Sequence, residues 1–294
     1  MTKVVFLLTP GLHLLDLAGP AQVFGTADYT HRYVAERADV RTHQGLTVTA
    51  ETTLPPTGPD DLVLIPGWRA PLSSGSFSPD ALSFVRDHHA AGGTVVSVCA
   101  GADALGRAGL LDGRRCTTHH DLQADLARRY PRAFVVPDVL FVSDDRVLSS
   151  AGIASGIDLS LHVIAMRHGP AVAARIARSM VVYARRNGDD PQASVMLRHR
   201  AHLSDAVHRV QDRIDARFAE PLPLSGLAAA AGVSERTLTR LFETAVGCSP
   251  LRYQQALRLE RAEHLIGQGA TVEAAARAVG FSDARMLRRL RARG

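Results

Sequence analysis

Lysine is almost absent. Lys3 is the only one in 294 residues, so nearly all of the positive charge is arginine, the side chain best shaped for bidentate contact with phosphate or guanine. Cysteine is scarce. Cys99, Cys116 and Cys248 are an odd number without paired spacing, which argues against a disulfide framework and a structural zinc site. The thirteen histidines include His88-His89 and His119-His120, but neither H-E-x-x-H nor C-x-x-C accompanies them. No metal and no cofactor are therefore expected. No apolar run reaches the length that a transmembrane helix needs, so no membrane partner is expected either. The apolar residues 4–8 are too few for the core of a secretion signal, and Asp16 follows soon after. A buried first strand explains them better, and the cytoplasm is the expected location.

The hydrophobic content of 46% suits folded domains, and the length allows two. The net charge of +5 is unevenly placed. Residues 195–294 hold sixteen arginines against ten acidic residues, whereas residues 1–194 hold eighteen basic against nineteen acidic. The basic excess thus lies wholly in the C-terminal third.

Segments 4–8, 62–65 and 94–99 are short, continuous apolar runs of the kind found in a parallel sheet covered on both faces. Segments 17–24, 80–91 and 121–129 read as intervening helices. Residues 134–136, 139–142 and 147–149 read as further strands, with Asp144-Asp145 as a turn. Residues 157–168 and 171–184 read as helices separated by Gly169-Pro170. This alternation predicts an open α/β layer structure over residues 1–184. Arg185-Arg-Asn-Gly-Asp-Asp-Pro191 opens a polar linker, 185–200. Residues 201–294 carry no strand pattern and read as an all-α domain. Its first helix places Leu203, Val207, Val210, Ile214 and Phe218 on one face.

Pro223-Leu-Ser-Gly-Leu-Ala-Ala-Ala-Ala-Gly232-Val-Ser234 reads as a short helix stopped at Gly232, with Ser234 capping the next. In that next helix Leu238, Leu241, Phe242 and Ala245 share one face, and Arg236, Thr239, Arg240 and Glu243 the other. An apolar back and an Arg/Thr front suit a helix lying in the major groove of double-stranded DNA. The pattern recurs in Thr271-Val-Glu-Ala-Ala-Ala-Arg-Ala-Val-Gly280-Phe-Ser282, with Ser282 as the expected cap, followed by an arginine-rich helix. A long helix over 251–266 joins the two units.

This end resembles the AraC family of transcriptional regulators. The resemblance is carried by Leu227-Ala228, Gly232-Val-Ser234, Arg236-Thr-Leu-x-Arg240-x-Phe242, Gly247-x-Ser-Pro250, Tyr253, Arg258-x-x-x-Ala262 and Gly280-Phe281. It implies two helix-turn-helix units that enter successive major-groove turns. The base-facing residues would be Arg236, Thr239 and Arg240 in the first helix, and Arg285, Arg288 and Arg289 in the second. The second helix has Leu290-Arg291 where the family places an aromatic, and the family's closing Gly-x-Ser-Pro does not follow. Its arginines are expected to hold phosphate more than bases.

Val95-Val-Ser-Val-Cys99-Ala-Gly101 reads as a strand and a sharp turn carrying cysteine, with a helix after it. Such an elbow sets a nucleophile at a helix N-terminus, where backbone amides favour the thiolate; the plain alternative is a small apolar residue ending a buried strand. With Leu14-Leu-Asp16-Leu-Ala-Gly-Pro20, Ile65-Pro-Gly67, Ala108-Gly-Leu-Leu-Asp-Gly-Arg114, Thr117-Thr-His119 and Ala151-Gly-Ile-Ala-Ser-Gly-Ile-Asp158, the region resembles the PfpI-type branch of the class I glutamine amidotransferase-like superfamily. Fused to an AraC-type end, it is similar to the GlxA-like group of regulators. The resemblance implies a flavodoxin-like sandwich. Its ligand pocket would be built from Asp16, the backbone of Gly67, Trp68 and Ala100, Cys99, and His119.

Three readings follow. The first is a sequence-specific transcriptional regulator whose α/β domain binds a small polar effector and, as the family implies, works as a homodimer. The second is a cysteine-dependent hydratase or amidase with an accessory DNA-binding domain, Cys99 acting as nucleophile and Asp16 as acid and base. Ala100 stands where isocyanide hydratases carry a hydroxyl and peptidase-like members a histidine, which favours a retained pocket over a retained reaction. The third makes Cys99 a redox sensor.

Overall fold

Leu62, Val63, Leu64 and Ile65 are consecutive and fully buried. Side chains on a strand alternate between its faces, so a strand buried at every position is covered on both sides. The computed structural model, which describes residues 2–69, 71–182, 186–190, 192, 199, 200, 202–267 and 269–292, sets this strand inside a six-stranded sheet. Contacts divide the chain into two units, Met1–Gln192 and Ala193–Gly294.

In the first unit the strands are β1 (Lys3–Leu7), β2 (Thr30–Val34), β3 (Asp39–Arg41), β4 (Thr47–Thr49), β5 (Leu62–Ile65), β6 (Thr94–Val98), β7 (Arg115–Cys116), β8 (Phe134–Val135), β9 (Phe141–Asp144) and β10 (Val147–Ser150). The helices are α1 (Leu14–Thr26), α2 (Pro79–Ala90), α3 (Ala102–Arg107), α4 (Gln123–Arg129), α5 (Ser155–His168) and α6 (Pro170–Ser179). The main sheet runs β2-β1-β5-β6-β10-β9, parallel except for β9, which pairs antiparallel with β10. Helices α1, α5 and α6 pack on one another, and α2 packs on α3. This is the α/β sandwich expected from the alternation of segments. The chain leaves β1 in opposite directions toward β2 and β5, and such a reversal opens a crevice at the carboxyl ends of the strands.

The differences from the sequence reading are local. Strand β2 and the β3–β4 ribbon were not anticipated, because Thr30–Val34 is an edge strand whose half-exposed side chains lack an apolar run. The turn between β9 and β10 falls on Asp145, at φ +53°, and Arg146. Helix α6 ends at Ser179, and positions 183–184 of the expected helix lie outside the described residues. The start of the expected linker is held to the first unit. Arg186 pairs with Asp158 (2.6 Å), Leu140 N–H donates to the Gly188 carbonyl, and Gln192 donates to the carbonyls of Thr118 and Val139.

In the second unit the described helices are α7 (Asp205–Ala216), α8 (Leu224–Ala231), α9 (Glu235–Val246), α10 (Pro250–Gly267), α11 (Val272–Ala278) and α12 (Ala284–Arg291). Val207, Val210, Ile214, Leu227, Leu238, Phe242, Tyr253 and Leu257 form one core. Ala262, Ala275, Ala276, Val279, Phe281 and Leu287 form a second. The expected all-α end is therefore present, one small core per helix-turn-helix motif. Leu203 does not join the apolar face of α7: it precedes the Ser204 cap and is fully exposed.

Candidate functional site

Three loops meet at the carboxyl ends of β1, β5 and β6. Asp16, which precedes the helix expected over 17–24, lies in the first turn of α1, where it is fully buried. Gly67 follows β5. Cys99 follows β6 and takes a left-handed conformation, φ +54°, at the start of a short 3₁₀ turn. A residue other than glycine rarely adopts this backbone, and it persists only where the surroundings enforce it. The surroundings do. A Cβ at Gly67 would sit 2.5 Å from the Cys99 Cβ, and one at Gly152 2.3 Å from it. Thr118 Oγ1 donates to the Cys99 carbonyl at 2.7 Å.

The elbow thus brings together Asp16, Gly67, Cys99 and Ala100, all buried. Asp16 Oδ1 accepts from the Ile153 N–H at 2.7 Å, while Oδ2 faces Gly67 and has no well-aligned donor. Burial raises the Asp16 carboxyl to about 6, against the opposing pull of the Ile153 and Gly67 amides and the Cys99 thiol. Burial, and then the Asp16 charge, push the Cys99 thiol far above its ordinary value; the Ala100 amide opposes them only in part. This corrects the expectation of a thiolate. A single turn of amides does not outweigh desolvation and an adjacent carboxylate.

Trp68 is buried, but its ring packs over Gly75 and Phe77 and its Nε1 donates to the Pro71 carbonyl. Its side chain is therefore committed to that wall. His119 is half-buried, and its pKa is lowered by burial and by His120. Burial, then the charges of His43, His119 and Arg69, lower the pKa of His13, which lies edge-on to His43 at 5.1 Å. His119, His120 and Asp121 bring one possible metal-ligating atom each within 4.8 Å of one another, but His120 and Asp121 are exposed. Gly152, Ile153 and Thr118 were missed as site residues. Their signal was present, since all three stand in the motifs Thr117-Thr-His119 and Ala151-Gly-Ile-Ala-Ser-Gly.

In the second unit, Gly232 at φ +72° ends α8, and the Ser234 side chain accepts from the Thr237 amide to cap α9. With Leu238 and Phe242 fully buried, Arg236, Thr239, Arg240 and Glu243 line the opposite side of the helix around a concavity of about 470 Å³. Helix α12 is capped by Asp283, which accepts from the Arg285 amide at 2.7 Å, and not by Ser282 as expected. Leu287 is buried, and Arg285, Arg288 and Arg289 are exposed. Arg288 pairs with Glu273 (2.5 Å) and Arg291 with Glu263 (3.5 Å).

Residues 2–166 match the DJ-1/PfpI family, and residues 227–293 match a helix-turn-helix domain. The chain is 29% identical to the HTH-type transcriptional regulator GbdR of Pseudomonas aeruginosa, over 90% of this chain and 74% of that one. It is 34% identical to an isonitrile hydratase of Pseudomonas putida, over 54% of this chain and 69% of that one. A crystal structure of an AraC family transcriptional regulator from Pseudomonas putida superposes with a TM-score of 0.53 at 22% identity, covering 61% of this chain and all of that one.

A carboxyl whose pKa is higher folded than unfolded keeps its proton in the fold. Stability then falls as pH climbs from about 4 to about 6, and the loss is complete above that window. Asp16→Asn keeps an acceptor for Ile153 and carries no charge. It is expected to stabilise the first unit by about 2–3 kcal/mol near neutral pH and by little at about pH 4. Urea unfolding followed by the fluorescence of Trp68, the only tryptophan, checks this. A difference between the two proteins that does not change with pH would contradict the raised carboxyl.

Proposed function

The chain belongs to the DJ-1/PfpI family and ends in an AraC-type helix-turn-helix domain, and from that premise we propose that its first unit senses a small polar molecule at the Cys99 elbow. The protein itself is a DNA-binding transcriptional regulator. The observation that carries this is the α9 surface, a rigid helix with a buried Leu238–Phe242 back and a front of exposed Arg236 and Arg240 with the half-buried Thr239 between them, within a motif that recurs in the same chain. Arginine there can read guanine, and the Thr239 methyl can meet thymine. Among the described residues Arg236 and Arg240 enter no ion pair, so both are available to DNA. In α12, Arg285 and Arg289 are exposed at the corresponding positions, and Arg288, also exposed, is paired with Glu273.

A buried Asp16 oxygen without an aligned donor supports the binding reading, since a ligand group that donates a hydrogen bond would satisfy it. Arg69, His13, His43 and His119 are polar groups that lie near one another, and they would meet such a ligand as it enters. We infer that the ligand changes how two first units associate in a homodimer. Sedimentation giving a monomer with and without duplex would remove that part. The protein would act in the cytoplasm, where its DNA is; among the described residues no helix is long and apolar enough to cross a membrane.

The similarity to an isonitrile hydratase supports a second reading, hydration of an isonitrile with Cys99 as nucleophile and Asp16 as acid and base. The protonated thiol weighs against it and against a redox sensor, because the thiolate is the reactive form. The regulator reading expects no hydration of isonitriles; turnover that Cys99→Ala abolishes would favour the enzyme.

Gel-shift titration against a duplex from the protein's own upstream region tests DNA reading. Arg236→Ala and Arg240→Ala are each expected to cost about 1–3 kcal/mol of specific binding, about fivefold to more than a hundredfold, while leaving mixed-sequence binding less affected. Unchanged specific affinity in both variants would mean that α9 is not the reading helix.

A further inference from the structure

The two reading helices can be aligned on their caps, Ser234 with Asp283. Their buried leucines then coincide, Leu238 with Leu287, and the outward arginines coincide too, Arg236 with Arg285 and Arg240 with Arg289. Two further positions gain a cation. Arg288 stands where α9 has Thr239, and Arg291 where α9 has the buried Phe242. The second helix therefore carries two more cations than the first.

Those two are the arginines held by carboxylates of other helices. Glu273, in the first turn of α11, pairs with Arg288, and Glu263 of α10 pairs with Arg291. The turns align on Gly232 and Gly280, and there the counterpart of Glu273 in the first motif is the uncharged Ser225. Where the second motif has the Glu273–Arg288 pair, the first has the uncharged Ser225 and Thr239, so the extra cation stands beside a counterion of its own. Arg285 is bound differently. It is 88% exposed, and its 3.7 Å contact is with the cap of its own helix, Asp283, not with a carboxylate of another helix.

We infer that Glu273 and Glu263 withhold Arg288 and Arg291 from DNA, so that the second motif engages it through Arg285 and Arg289 with the same two-arginine front as the first. To reach a phosphate, Arg288 must abandon Glu273 and leave an acidic group facing the DNA backbone. That repulsion cancels the charge gained, and no counterion is released on balance. Glu273 and Glu263 are thus determinants of affinity that act through the arginines they hold. The inference rests on DNA binding by the second unit.

Fluorescence-anisotropy titrations of the full chain on its upstream duplex and on a mixed-sequence duplex, over a range of salt, test it. Arg289→Ala is expected to weaken binding about tenfold and to lower the salt slope by about 1. Arg288→Ala should cost less than about threefold and leave the slope unchanged. Glu273→Gln should tighten binding about fivefold and raise the slope by about 1, and in that background Arg288→Ala should now cost about tenfold. Glu263→Gln should act in the same direction through Arg291, which guards against a local effect of one substitution. If Arg288→Ala weakens binding as much as Arg289→Ala does, or Glu273→Gln leaves the slope where it was, the inference is overturned. A wild-type chain that binds neither duplex would sink the DNA-binding reading, and this inference with it.

Discussion

Cys99 can hold its left-handed backbone because only hydrogen atoms stand in the way at positions 67 and 152. A methyl at either place would lie within 2.5 Å of the cysteine Cβ. Gly67 follows β5 and Gly152 follows β10, the two strands that flank β6 in the sheet. The strained turn is therefore gripped from both sides by its neighbours, and from a third by Thr118. Strain of this kind costs on the order of 1–3 kcal/mol and survives where packing over-determines it. The placement of Asp16 follows from the same closeness, since Ile153, next to Gly152, supplies the amide that holds its carboxylate.

Tight packing also sets the electrostatics. With water excluded, the carboxyl of Asp16 rises and the Cys99 thiol rises further; the Asp16 charge makes the thiol harder still to ionise, while the thiol's hydrogen bond partly eases the ionisation of Asp16. A catalytic cysteine needs a partner that takes its proton near neutral pH. Here the nearest titratable partner is itself a carboxylate reluctant to be charged, and Ala100 offers no hydroxyl to help. The elbow presents a buried thiol and a buried carboxyl at fixed positions, both uncharged below about pH 6.

Much of this was legible in the sequence. Continuous apolar runs such as Leu62–Ile65 marked the covered strands, Gly169-Pro170 marked the break between α5 and α6, and the glycine turns marked both motifs of the second unit. The missed elements share a cause. Strand β2 is an edge strand with an irregular pattern, so its place depends on pairing with β1, a contact remote in sequence. The cap of α12 slipped by one residue because Ser282 and Asp283 are both good caps, and local chemistry does not choose between them. Burying Leu287 does. The sequence left the state of Cys99 open between a thiolate and a small buried residue, because a helix terminus is visible in sequence, whereas the density of packing around it is not.

Counting arginines has the same weakness. The basic excess that pointed to DNA overstates the charge offered to it, because several arginines of the second unit are struts. Arg258 donates to the carbonyls of Phe218, Glu220 and Gly280 and stacks over Phe281 at 5.6 Å. It ties the turn of the second motif to the end of the first core, and a Cβ at Gly280 would strike the Ala219 carbonyl there. Arg200 pairs with Asp212 and Asp215, and Asp215 also accepts from Tyr253. A planar guanidinium with five donors suits such junctions, where one side chain must satisfy carbonyls from several segments. Lysine could not replace it there. Arginine thus serves the architecture of this unit as well as its contact with DNA, and the outward arginines held by no carboxylate of another helix are the ones whose position on a helix face implies a reader.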